Sequence, residues 1–422
     1  MHDDPLILHQ VGAVRDAESV DARPGALALR GNRIVAVGAV DEVRRKAGKP
    51  DRVIARPDLL ILPGMVNAHA HLDLTSLGAR PKGGDFIEWV SMVMRDRPRE
   101  EADINSAVLQ GMKLSRDAGV AHLGDIAGTP TAIRTRVHAP KQQWLTGISW
   151  LECFGLGDDQ EERGLDALAE VARLTDDFQT RGCPDVAIDL QPHAPYSAGL
   201  DLYAVSPKFW RGRTSTHLAE TREELQFVRD ATGPFADLLK RLGKWHDSIR
   251  PTGKTPIQYL DACFGRGEWT LAHCNYVSDA DLNILRIRRG TVSVAYCPIA
   301  SDYFGHTGHR YREMLDAKIN VCLGTDSILC QPADEPQPMS ILAQMRHLYR
   351  RDRTDPALLL RMATINGARA LTGEPGGATL SVLGSANVAA IRFDPDDKTD
   401  ALEQVMRSWE MVMSSSIRAA TR

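Results

Sequence analysis

In PGMVNAHAHLDLT, residues 63–75, two histidines stand one residue apart directly after a short apolar run. If that run is a strand, residues i and i+2 point to the same side, so His69 and His71 aim two imidazoles at one point. The spacing alone is weak, because 13 histidines in 422 residues give about 0.4 such pairs by chance. Three further residues add weight: His217 in TSTHLAET (214–221), His273 in WTLAHCN (269–275) and Asp326 in INVCLGTDS (319–327) each end a short β-branched or apolar run. Any one of these histidines is more often a hydrogen-bonded structural residue than a ligand. Imidazoles and a carboxylate at consistent run ends are instead a donor set for Zn²⁺ or Fe²⁺.

The elements that must position them are legible. Eight short apolar runs alternate with helical stretches: GMVNAHAH (64–71), GVAHLGD (119–125), TGISWLECF (146–154), DVAIDLQPHAPYS (185–197), then TSTHLAET, WTLAHCN, TVSVAYCP (291–298) and INVCLGTDS. Apolar residues recur at helical spacing in LDALAEVARLTDDFQ (165–179), DADLNILRIRR (279–289), MSILAQMRHLYRR (339–351) and PALLLRMATINGARAL (356–371). Eight strands alternating with helices predict an α/β fold, a (β/α)₈ TIM barrel, which collects its chemistry at the C-terminal ends of its strands. Before Pro63 the pattern is β-like, with a hairpin expected at Gly31-Asn32 within residues 25–38, and after Gly373 it is β-like again. The expected domains are residues 63–373 for the barrel, and residues 1–62 with 374–422 for the two parts of a small discontinuous β-sandwich.

Composition narrows the function. The chain is 43% hydrophobic and 25% charged, with a formal charge of −4 and only short basic runs, so nucleic acid is not an expected partner. No window approaches a membrane span and MHDDPLILHQ lacks a signal pattern, so a cytoplasmic protein that does not engage membranes is expected. Seven cysteines without a CxxC pair argue against a disulfide framework or a thiolate zinc site.

PGMVNAHAHLD, HAPYS, HLAET, AHCN and GTDS, in this order, resemble the amidohydrolase superfamily, most closely its branch of cytosine, guanine and adenosine-type deaminases and triazine hydrolases. The resemblance covers nearly the whole chain. It implies a single metal bound by His69, His71, His217 and Asp326, zinc first with iron or manganese as alternatives, and His273 hydrogen-bonding the attacking water. No carbamylated lysine is implied, and DVAIDLQ carries none. The usual closing GKxADL of the β-domain reads GSANVAA here, a departure away from the site. In this family HxxE marks deaminases, and Glu220 stands three residues after His217. An exocyclic amine leaves an aromatic ring poorly unless a ring nitrogen is protonated as water adds, and a carboxylic acid supplies that proton. The implied roles are Asp326 accepting the proton of the water, Glu220 protonating the ring, and His273 stabilising the tetrahedral carbon. Glu223 and Glu224 read better as solvated helix-start glutamates.

For the substrate pocket, His193 in HAPYS is either a substrate contact or a buried structural histidine, and Ser301 and His306 in SDYFGH are further candidate contacts. GDFIEWVSMVMRDR (84–97) is expected as a helix that either roofs the pocket with Phe86 and Trp89 or uses both as core. HLDLTSL, FIEWV, GPFADLL and FGH look most like aminodeoxyfutalosine deaminase-like proteins of the alternative menaquinone route. That resemblance implies loss of a purine 6-amino group as ammonia from a 5′-substituted adenosine, with Arg95 or Arg97 meeting a substrate carboxylate. Adenosine, methylthioadenosine and S-adenosylhomocysteine share the reacting carbon. The alternatives are triazine-type dechlorination, guanine or cytosine deamination, and a non-catalytic scaffold barrel. A homodimer is expected by family analogy.

Overall fold

The structure is a computed structural model that describes residues 4–81, 85–140, 143, 145–181, 186–206, 212–374, 378–382, 384 and 386–413; Cys183, Ser385 and the C-terminal residues from 414 onward lie outside the described residues. Two compact units divide the chain: Met1–Asn67, Lys113–His122 and Pro336–Arg422 form one, and Ala68–Met112 with Leu123–Glu335 the other.

The first unit is built on a mixed sheet. Its N-terminal strands are β1 (Leu6–Arg15), β2 (Asp21–Ala22), β3 (Gly25–Arg30), β4 (Arg33–Ala39) and β5 (Arg52–Pro63). β3 and β4 form the expected hairpin, with Arg30 opposite Arg33 and Gly31 at φ 56°, a left-handed turn position that glycine adopts without strain. Strand alternation sorts the core: Leu27 and Leu29 pack with Val11, Val14 and Ile61 on one face, while Ala26 and Ala28 pack with Leu6, Leu8 and Val43 on the other. The register between β1 and β5 shifts between Val11 and Ala13, and this bulge keeps Val14 on the same face as Val11 despite their odd spacing.

Eight strands follow, β6 (Met65–Ala70), β7 (Val120–Ala127), β8 (Thr146–Cys153), β9 (Val186–Pro192), β10 (Arg213–Leu218), β11 (Glu268–His273), β12 (Val292–Tyr296) and β13 (Asn320–Leu323). All eight expected runs are strands. Their order is β6-β7-β8-β9 and β10-β11-β12-β13, the parallel arrangement of a (β/α)₈ TIM barrel. At the seam between the two groups Arg213 N donates to Asp189 Oδ2 at 2.9 Å, and a parallel bridge joins Ala70 to Asp326, just beyond the last strand. β12 and β13 are buried at every residue, as strands covered on both faces require. Trp150 is wholly buried and its indole N–H donates to Arg213 O at 2.7 Å, so its burial leaves no donor unpaired.

β14 (Val388–Arg392) then pairs antiparallel with β5 and completes the six-stranded sheet of the first unit. The stretch 356–371, which reads as one helix in sequence, is two: Pro356–Ala363 and Ile365–Thr372, separated at Thr364 (φ −129°, ψ −87°). Six cysteines, Cys153, Cys263, Cys274, Cys297, Cys322 and Cys330, are free and buried.

Candidate metal centre and its cavity

The register of the parallel strands brings the sequence candidates to one end. Leu218 lies opposite His273, so His217 and His273 end neighbouring strands at the same height. His69 near the end of β6, His71 just after it and Asp326 after β13 complete the group. Ring centroids lie 5.2 Å apart for His69 and His71, 5.0 Å for His69 and His217, and 5.3 Å for His69 and His273. His71 Nε2 is 3.4 Å from His217 Nε2 and 3.5 Å from Asp326 Oδ1, and the same carboxylate oxygen is 3.9 Å from His69 Nε2. Ligands held on a tetrahedron at about 2.1 Å from a cation are separated by about 3.4 Å, so these spacings fit one small divalent ion.

Tautomer and charge fit as well. His217 Nδ1 lies 3.0 Å from His193 O, an acceptor, so Nδ1 carries the proton and Nε2 presents its lone pair to His71. Burial pushes the pKa of His69, His71 and His273 well below the usual imidazole range and that of His217 down to about 3, so the rings are neutral donors. Burial raises Asp326 to about 7 in the protein alone. Neutral imidazoles around a buried carboxylate are a cation-binding set.

Backbone strain concentrates here. Ala219, His273, Cys274 and Asp326 adopt φ of 49°, 71°, 52° and 60°, a left-handed region unfavourable for side-chain-bearing residues. At Ala219 the cause is visible: the Glu224 carboxylate accepts the backbone N–H of Ala219 at 2.9 Å and of Glu220 at 2.8 Å, folding the chain so that Glu220 turns back toward the histidines. Glu224 is fully buried, which corrects its reading as a solvated helix-start residue; its charges face backbone donors, which the helix-start pattern does not reveal. Glu220 Oε1 is 3.6 Å from His273 Nε2, and ligand atoms of Glu220, His273 and Asp326 all lie within 4.8 Å of one another.

Above this group opens a cavity of about 800 Å³. His71, His193, His217, Glu220, His273 and Asp326 line its floor. Trp89 and Phe86 line it from the expected helix, Phe86–Asp96, which Asp85 caps through the Glu88 N–H at 2.8 Å. Arg97 also lines it, but its guanidinium is held by Asp73 at 3.1 Å and by Glu152 at 3.6 Å. Gly128 makes room for this arginine, since a Cβ there would sit 1.7 Å from Arg97 Nη2. Arg95 is exposed, pairs with Asp96 at 2.8 Å and does not line this cavity. Ser301 and His306 are also absent from its lining: the Ser301 hydroxyl donates to Asn275 Oδ1 at 2.7 Å, and His306 Nδ1 faces the Tyr276 hydroxyl at 2.8 Å. Asn275 Nδ2 in turn donates to Glu220 O at 3.1 Å, so Ser301 braces the Glu220 turn from behind.

Sequence reasoning missed Glu152, Phe154, Phe235 and Leu242, all of which line the cavity. Glu152 carried a usable signal, because it ends β8 in the same way that His217 ends β10. The three apolar residues carried none that separates a cavity wall from a core.

The chain is 28% identical over 361 residues to the 5-methylthioadenosine/S-adenosylhomocysteine deaminase of Pyrococcus abyssi, covering 81% of this chain and 75% of that protein. It is 25% identical over 362 residues to the aminodeoxyfutalosine deaminase of Deinococcus radiodurans, covering 83% and 82%. A solved adenosine deaminase from Xanthomonas campestris with bound zinc shares the fold, with a TM-score of 0.73 over 97% of this chain and 90% of that one at 19% identity. The Amidohydrolase family model matches residues 60–376, a span that runs from β5 through the helices beyond the barrel strands and takes in every residue of the candidate centre; the chain belongs to that family.

Proposed function

We propose that the protein is a hydrolytic deaminase that removes the exocyclic amino group of an adenosine-type nucleoside as ammonia. One observation carries this reading: a buried carboxyl group, Glu220, stands against His273 and within 4.8 Å of Asp326, beside a donor set for one divalent ion. Burial, and then the charges of Asp326 and Glu224, raise the Glu220 pKa well above the ordinary carboxylate value, the direction that suits a general acid. Relatives named 5-methylthioadenosine/S-adenosylhomocysteine deaminase and aminodeoxyfutalosine deaminase, matched over most of the chain, support the same reading.

A divalent ion held by His69, His71, His217 and Asp326, zinc first with iron or manganese as alternatives, would supply Lewis acidity that makes water nucleophilic near neutral pH. The protein groups then divide the proton traffic. Asp326 accepts a proton from the attacking water, and Glu220 gives its proton to the ring nitrogen beside the carbon under attack. His273 Nε2, 3.6 Å from Glu220, faces the oxygen that develops charge as the C–O bond forms. Asp326 returns its proton to the amino group as the C–N bond breaks, the proton left on the added oxygen passes to Glu220 and restores its acid form, and the products are ammonia and a 6-oxo ring. His193, whose Nδ1 is 2.6 Å from the Ser197 hydroxyl and whose Nε2 is 3.7 Å from Glu152 Oε1, lines the cavity and serves as a contact for the base.

The test is ammonia release from adenosine and 5′-substituted adenosines by the wild type and by Glu220→Gln, with metal content measured on both. The expected result is equal metal content and a loss of about 10²–10⁴ in kcat for the variant. A variant near the wild-type rate would remove Glu220 from the mechanism. Turnover of guanine or cytosine only would overturn the substrate class.

A further inference from the structure

The outer half of the cavity does not resemble its floor. Two helices lay apolar stripes into it: Val90, Val93 and Met94 follow Phe86 and Trp89 along the helix Phe86–Asp96, and Leu238 and Leu239 follow Phe235 along the helix Pro234–Arg241. Leu242 and Trp245 extend the second stripe past its helix end. Aromatic contacts run without a break from the floor to this region. The Phe154 and His193 rings are 4.8 Å apart, Tyr196 meets His193 at 5.4 Å, Phe235 stacks on Tyr196 at 3.7 Å, and Phe86 meets Phe235 at 6.2 Å.

A second observation is independent of the cavity's outline. Met94, Phe154 and Leu242 are 44%, 43% and 43% exposed, among the few large apolar side chains left in water in the described residues, and all three line this cavity. Isolated exposed apolar residues are ordinary, but a cluster of them around one opening marks a binding surface. Of the cationic side chains that line it, Arg97 is held by Asp73 and Glu152 and Arg163 by Asp159, while Arg99 and Lys244 stand at exposed positions. A volume of about 800 Å³ lies near the upper end of the roughly 300–1,000 Å³ that holds drug-sized ligands, more than a purine nucleoside alone requires.

We infer that the preferred substrate is an adenosine-type nucleoside carrying a long apolar 5′ arm, an alkyl or aryl group, seated between the two helices. This rests on the deaminase reading and adds the chemistry of the substituent. With the reacting ring at the Glu220 end, the arm extends toward Met94 and Leu242 and covers apolar surface that is otherwise wetted. That burial is the same in ground state and transition state, so it lowers KM and raises kcat/KM while leaving kcat nearly unchanged. A zwitterionic amino-acid arm would lose its hydration against the apolar surface of Val93, Leu238 and Trp245 and so gains less there than an alkyl arm of similar length.

The experiment measures kcat and KM for adenosine, 5′-methylthioadenosine, 5′-butylthioadenosine, 5′-hexylthioadenosine and S-adenosylhomocysteine by ammonia release. The expected result is a rise in kcat/KM of about fourfold for each added methylene, carried by KM, with S-adenosylhomocysteine below the butyl compound. Met94→Asp and Leu242→Asp, at exposed positions that tolerate a charge, should each cut the ratio of hexylthio to adenosine kcat/KM at least tenfold. Deamination of adenosine and the methylthio compound with no gain from longer arms, or with S-adenosylhomocysteine preferred, would overturn the inference and leave the deaminase reading intact. No ammonia from any of the five would overturn both.

Discussion

At the scale of single residues, the candidate centre depends on which atom of each ring is free. His217 spends its Nδ1 proton on His193 O, and this fixes Nε2 as the donor facing His71. Replacing His71 by Ala removes one of the closest pair of donors, and the expected outcome is loss of most bound metal, read by elemental analysis of the purified variant. A residue far from the centre gives a prediction about pH. His9 in β1 is buried, its Nε2 has no partner, and burial followed by the charge of Arg52 lowers its pKa to about 4. Because the folded pKa lies below the ordinary 6.5, the unfolded chain binds the proton first. Stability is therefore whole above pH 6.5 and falls as pH drops toward 4, by up to about 3 kcal/mol for this group. His9→Leu should flatten that part of the pH profile of Tm relative to the wild type; parallel profiles would mean that His9 does not titrate differently on folding. The sequence displayed the His-x-His pair and HxxE openly, because their spacings survive in one dimension. It could not display that Ser301 faces away from the cavity, because that depends on the hydrogen bond to Asn275 from another strand end.

At the scale of elements, the turn between β10 and the helix Arg222–Asp230 is what aims Glu220. Thr221 caps that helix through Glu224 N at 3.1 Å, and Glu224 reaches back to two backbone N–H groups before it. Glu224→Ala leaves both donors buried without that acceptor, at a cost of about 1–3 kcal/mol each. The variant should show a lower Tm and a kcat reduced at least tenfold with its metal retained; an unchanged kcat would show that the turn holds Glu220 without Glu224. Strands were legible because parallel barrel strands are short apolar runs bounded by polar loops, as in Val292–Tyr296. The break at Thr364 was not, because apolar spacing continues across it and only the backbone angles interrupt the helix. Glu224 misled for a related reason: acidic residues in a first helical turn usually face water, and this one is turned inward by backbone donors.

At the scale of the molecule, the donors proposed for the ion come from three separated parts of the chain, β6 with the residue just after it, β10 and the loop after β13. An ion bound there links those parts in the folded state only, so it stabilises the fold by mass action. With free metal at about 100 times its dissociation constant this amounts to about 2.7 kcal/mol, and chelation should lower Tm by several degrees, reversibly on adding zinc back. The barrel was legible in sequence from its eightfold alternation of apolar runs and helical stretches. The size and apolar walls of the cavity were not, because Phe235 and Leu238 look the same in sequence whether they face a core or an opening. A single-ion centre would show itself in an anomalous-difference map from crystals of the metal-loaded protein. The expected map has a single strong peak about 2.0–2.2 Å from His69, His71, His217 and Asp326 together. A map without a peak there, or with its peak bound by other residues, would contradict it.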